Sequence, residues 1–124
     1  MTTITERVAA GAAFLDQADP EWWRADVERA IGLDTLDLGS GSRCILGQRC
    51  PVDVYSASEL GDTRYAALAK RWSGSIFDDP ADKWAQARGF QAGNPASEGE
   101  LRSEPEYDAL TAEWARVIRE RRSA

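Results

Sequence analysis

The stretch SEPEYDALTAEWARVIRERR, residues 103–122, decides the fold class. Ser103 and Glu106 stand at capping-box spacing, and Pro105 falls in the first turn, where helices tolerate it. Tyr107, Leu110, Trp114, Val117 and Ile118 then return to one side at helical period. The segment reads as an amphipathic helix whose apolar face must be covered by the rest of the chain. Working outward, Asp79-Pro80 pairs a cap with a proline and starts a helix that carries Trp84 and ends near Gly89. Tyr65, Leu68, Ala69 and Trp72 define another helical face. At the other end, Thr3 and Glu6 repeat the capping-box spacing. Ile4, Val8, Ala12 and Leu15 form the stripe of a helix from about Thr3 to Asp16.

Between these lies less regular sequence. Asp19-Pro20-Glu21 predicts a second helix with Asp19 as its cap, a stripe of Trp23, Val27, Ala30 and Ile31, and Gly32 as its stop. Trp22 points away from that stripe, so it covers a neighbouring helix or stays partly exposed. LDTLDL, residues 33–38, reads as an extended or turn segment. A short helix is expected after Ser42 and must end before Pro51. Residues 51–63 read equally as a short strand or a loop, and residues 89–103, rich in Gly, Ser and Pro, as a surface loop. The expectation is all-α: one compact domain over residues 1–124, made of five to six short helices.

Composition agrees and removes several functions. Hydrophobic residues make up 43% of the chain, with five tryptophans, enough for a single core. No apolar run approaches a membrane span. The first residues carry Glu6 and Asp16 and lack the basic and apolar regions of a signal peptide. A cytoplasmic location with reduced thiols is expected. A net charge of −6 argues against broad nucleic-acid contact. Lysine occurs only at Lys70 and Lys83 while arginine is abundant, a bias that fits a GC-rich genome.

DLGSGSRCILGQRCP, residues 37–51, invites four readings: phosphate loop, metal site, disulfide or helix start. It has glycines but lacks the lysine of a P-loop. Two cysteines without any histidine supply half a zinc site, so no metal is expected. If the segment is helical, the two thiols are about 9 Å apart along the axis, beyond disulfide reach unless its end unwinds. What remains is a turn with Ser42 as a helix cap, the alternative being an anion held at that helix start. Cys44 is expected to be a small buried residue and Cys50 to be more exposed.

The absence of histidine also excludes Ser-His-Asp and Cys-His catalysis within the chain. Asp34 with Asp37, and Asp79 with Asp82 beside Asp78, are spaced for paired carboxylates. Caps, turns and the helix dipole explain them more simply. No catalytic residue and no cofactor is therefore assigned. For binding, Trp22 with Arg24 is one candidate, because tryptophan anchors interfaces, although tryptophan in a small helical domain is more often core, Trp22 included. Arg116 and Arg119, in the basic end RVIRERR, are the other. That end complements the helix dipole, and it also offers cations to an acidic partner or to nucleic acid.

VAAGAAFLDQADPEWW, LDTLDL, CILGQ, ARGF and YDALTAEWARVIRERR, taken in order, resemble a group of small, mostly uncharacterised proteins encoded by actinobacteria and their bacteriophages. Two places depart from that pattern. Ser42 stands where relatives often carry another cysteine, and Arg49-Cys50-Pro51 replaces a more aromatic continuation. The group has no established activity, so no catalytic residue transfers. The resemblance implies a small accessory protein of phage or prophage origin that acts by binding, with a host protein as the expected partner. A nucleic-acid-associated regulator using the basic C-terminal helix, and a small enzyme using carboxylate or thiol chemistry, are the alternatives.

Overall fold

A computed structural model describes residues 3–59, 61–93 and 104–124. Among these residues the chain forms six helices and no strand, as an all-α domain should. They are α1 (Ile4–Ala18), α2 (Ile45–Arg49), α3 (Val52–Ser56), α4 (Arg64–Ser73), α5 (Asp78–Ala87) and α6 (Glu104–Ser123). The capping box of α1 is formed: Thr3 Oγ1 accepts from the Glu6 N–H at 3.1 Å, and Glu6 Oε1 accepts from the Thr3 N–H at 3.3 Å. The expected cap of α6, Ser103, lies outside the described residues. Helix α4 packs against α2, α3 and α5, while α1 packs against α5 and α6.

Aromatic rings join these helices. Trp114 of α6 is fully buried, stacks on Phe90 at 5.5 Å, and receives the edge of Trp22 at 5.6 Å. Phe14 of α1 meets Trp72 and Trp84 edge-on at 5.3 and 5.2 Å. Each such pair contributes about 0.5–1.5 kcal/mol beyond area burial. Gly11 lets α1 approach this column, because a Cβ there would strike the Arg88 carbonyl oxygen and lie 2.9 Å from the Trp114 ring.

Residues 19–32 depart from the predicted helix. They form isolated turns, such as Trp22 N–H to Asp19 O at 2.9 Å and Ala30 N–H to Val27 O at 3.2 Å. Arg29 is left-handed at φ 58°, which no α-helix accommodates. The reason is geometric. The segment buries both Trp22 and Ile31, and residues nine apart fall on opposite sides of a 3.6-residue helix. Folding as turns lets both reach one core.

Side chains from elsewhere satisfy the backbone groups that a helix would have paired. Arg49 of α2 donates to the carbonyls of Glu28 and Arg29, both at 3.0 Å, and forks onto Asp19 at 2.7 Å through each of two nitrogens. Arg122 of α6 donates to the carbonyls of Trp23 and Ile31, both at 2.8 Å. Gln48 accepts from the Gly32 N–H at 2.7 Å.

Four smaller corrections follow. VDVYS, residues 52–56, is neither strand nor loop but a single helical turn, too short to show a period. The cap of α5 is Phe77, so Asp79 and Pro80 sit inside the first turn, where a missing N–H costs no ladder bond. Cys44, not Ser42, caps α2, its Sγ accepting from the Gly47 N–H at 3.3 Å. The start of the expected surface loop belongs to the core. Phe90, Gln91 and Ala92 are buried, and the segment is held by Trp114 Nε1 to Gly89 O at 2.7 Å and Arg7 to Gly93 O at 2.6 Å. Residues 94–103 lie outside the described residues.

Candidate functional site

The residues singled out in the sequence do not form one surface. Trp22 is 0% exposed. Its Nε1 donates to Asp16 at 3.0 Å, and the Arg121 guanidinium lies 5.1 Å from its ring centre. It is a core anchor rather than a contact residue, and its neighbour Trp23 is the half-buried one. Arg24 is exposed and forks onto Asp26 at 2.9 and 3.0 Å, a local pair that carries no link to Trp22.

The basic end of α6 is largely used within the fold. Arg116 bridges Glu113 at 2.6 Å and Glu120 at 2.8 Å, and its guanidinium holds the Glu113 carboxyl below its ordinary range. Arg121 pairs with Asp16, which lowers that carboxyl too, and Arg122 clamps the 19–32 segment. Of this cluster, Arg119 alone has an exposed side chain without a hydrogen bond or ion pair among the described residues. One free cation is a weak grip for a phosphate backbone.

The 37–51 stretch is structural. Ser40 Oγ accepts from the N–H groups of Ser42 and Arg43 at 3.3 and 3.2 Å, closing the turn. A Cβ on Gly41 would strike Thr63 at 2.8 Å, and one on Gly47 would strike Gly41 O at 2.7 Å. These glycines admit neighbouring chain rather than a phosphate. Both cysteines are free and buried; Cys50, at the junction of α2 and α3, is 1% exposed, contrary to expectation, and belongs to the hydrophobic core. Burial pushes the Cys44 thiol up to about 11 and raises that of Cys50. Neither is poised as a thiolate nucleophile.

One member of each carboxylate pair has a structural partner as well. Asp37 accepts from the Gly39 N–H at 2.9 Å, and Asp82 accepts from the Tyr65 hydroxyl at 2.7 Å. That phenol is pushed far up, first by burial and then by the Asp82 charge. Asp78 pairs with Lys70 at 3.2 Å. Asp34 is exposed on the turn at 33–35. Among the described residues no group of three or more Cys, Asp or Glu is placed to hold a metal ion, and no helix is long and apolar enough to cross a membrane.

The feature that sequence reading missed is a groove of about 380 Å³ between α3 and the C-terminal end of α4. Val54, Ala57, Ala67 and Ile76 give it apolar walls, with Glu59 and Arg71 at its margin. Lys70 lies inside it, held by Asp62 at 3.1 Å and Asp78 at 3.2 Å. Hydrogen bonds to Asp62 and then Asp78 raise its pKa, so it stays protonated rather than becoming a nucleophilic amine.

Beside the groove, the turn joining α4 to α5 presents Ile76 and Phe77, 74% and 68% exposed. The turn is ordered by its own serines. Ser75 Oγ accepts from the Phe77 N–H at 3.1 Å, and Ser73 Oγ accepts from the Ser75 N–H at 3.3 Å. Gly74, left-handed at φ 76°, ends α4 immediately before it. Phe77 is the cap residue of α5 and supplies no side-chain hydrogen bond there. The signal in the sequence was SIFDDP: two large apolar residues between helices, outside any period. Comparison of the chain with protein-family models, curated proteins and solved structures yields no match.

Proposed function

We propose that this chain is a small non-enzymatic binding protein that docks another protein through the Ile76–Phe77 turn and the adjoining groove. The observation that carries the reading is the placement of Phe77. It is 68% exposed, so it contributes little burial, and it occupies a cap position that Ser or Asp would fill better. Its backbone, at φ −100° and ψ 142°, is already in the conformation a capping serine adopts. A large apolar residue kept where it costs stability is accounted for by contact with a partner. The resemblance to accessory proteins of actinobacteria and their phages supports the setting, with a host protein as the partner.

Phe77→Ser separates the two roles. It should stabilise the fold by about 0.5–1 kcal/mol through the new cap, while Ile76→Ser/Phe77→Ser loses the partner that the wild type recovers from an actinobacterial lysate. Urea titration reads the first effect, and quantitative mass spectrometry of the captured proteins reads the second. Capture of the same proteins by wild type and double variant contradicts the proposal.

A further inference from the structure

The charge around this turn points to the kind of partner. Asp62 and Asp78 share the single ammonium of Lys70, which leaves an excess negative charge at the groove. Glu59 lines the groove, exposed and unpaired among the described residues, with Arg71 as the exposed lining cation near it; Asp79, also exposed and unpaired among the described residues, follows Phe77 and Asp78 in the first turn of α5. The rim is therefore acidic around an apolar centre. A second copy of the chain would bring the same acidic rim and a net charge of −6, so self-association through this face meets repulsion.

Resting on the docking reading above, we infer that the groove takes a cationic protein segment that sets large apolar side chains against Ile76, Phe77 and Val54 while its Lys or Arg residues meet Glu59, Asp78 and Asp79. The apolar contacts supply affinity. The charges supply encounter rate and selection against acidic partners.

The probe is a displayed library of random dodecapeptides, selected on the full chain and counter-selected on Ile76→Ser/Phe77→Ser. Enriched peptides should combine large apolar residues with an excess of Lys and Arg. Made synthetically, they should bind the double variant about tenfold more weakly and Glu59→Gln/Asp79→Asn about fivefold more weakly, with affinity falling as salt rises. Both variants change exposed side chains, and cooperative unfolding at a melting temperature close to that of the wild type, raised in the Ile76→Ser/Phe77→Ser variant by its new cap, confirms that the fold is intact. Peptides that require Ile76 and Phe77 but show no basic excess, and ignore the loss of the two acids, overturn the cationic partner while the docking surface stands. Failure to enrich any peptide dependent on Ile76 and Phe77 overturns both. A concentration-dependent dimer in sedimentation, lost in the double variant, gives the face to a second copy and overturns the inference.

Discussion

Arg49→Ala is the most informative perturbation of this fold. The guanidinium is 3% exposed and makes four bonds: two to the Asp19 carboxylate at 2.7 Å and two at 3.0 Å to the carbonyls of Glu28 and Arg29. Its removal leaves a carboxylate with 20% of its side chain exposed and two carbonyls facing the vacated volume. Breaking a buried ion pair on one side costs about 3–5 kcal/mol. Asp19 can rehydrate through its exposed edge, and water can enter to serve the carbonyls, so the lower end applies: about 3 kcal/mol. With the unfolding entropy usual for a domain of this size, the melting temperature should drop by about 12 °C.

Arg49→Lys keeps the charge but cannot fork across both partners, and should lose about 2 kcal/mol. Urea unfolding at neutral pH measures both values. Hydrogen exchange locates the effect: the Trp22, Arg24 and Ala30 amides, bonded only within isolated turns, should lose protection before those of α6. A loss below about 1 kcal/mol for Arg49→Ala would refute the reasoning, because burial of Trp22 and Ile31 would then suffice to hold the segment.

Gly11→Ala should destabilise the domain by about 2 kcal/mol, despite alanine's higher helix propensity, since the added methyl strikes the Arg88 carbonyl oxygen and meets Trp114 at 2.9 Å. Urea titration checks the sign, and a stabilised variant contradicts the close approach of α1 to the aromatic column. Cys44 makes the fold sensitive to alkali. Its folded-state pKa is raised from 9.0 to about 11, so its contribution is intact below pH 9 and is lost as pH rises through about 11. The decline should be about 2–3 kcal/mol. Cys44→Ser should remove that share of the slope and leave the share of Tyr65, whose buried phenol is also raised; identical pH profiles for the two proteins contradict the assignment.

How much was legible depended on whether local pattern and tertiary need agreed. In α1, α4 and α6 they agree: the stripe Val8, Ala12, Leu15 and the stripe Leu110, Trp114, Ile118 are both buried as their periods imply. In 19–32 they conflict. Asp19-Pro20 and the Trp23, Val27, Ile31 spacing follow helical rules, yet Trp22 and Ile31 are the buried pair. Side-chain bonds from Arg49, Arg122 and Gln48 make turns affordable. The candidate site was hidden for a related reason. Ile76 and Phe77 belong to no period, and their exposure depends on where α4 and α5 end and how α3 packs beside them.

The sequence by itself determined an all-helical chain, its longest helices and its lack of histidine chemistry. Those follow from residue type and from spacings within one or two turns, which act before distant parts of the chain meet. Only the tertiary structure decided how Trp22 reaches the core, that Arg121 and Arg122 are used inside the fold while Arg119 is not, and that an apolar groove with an acidic rim lies between α3 and α4. These depend on contacts between residues far apart in the chain, Arg122 with Trp23 and Ile31 among them. A local pattern has no term for such contacts, because their energy exists only once the packed partner is in place.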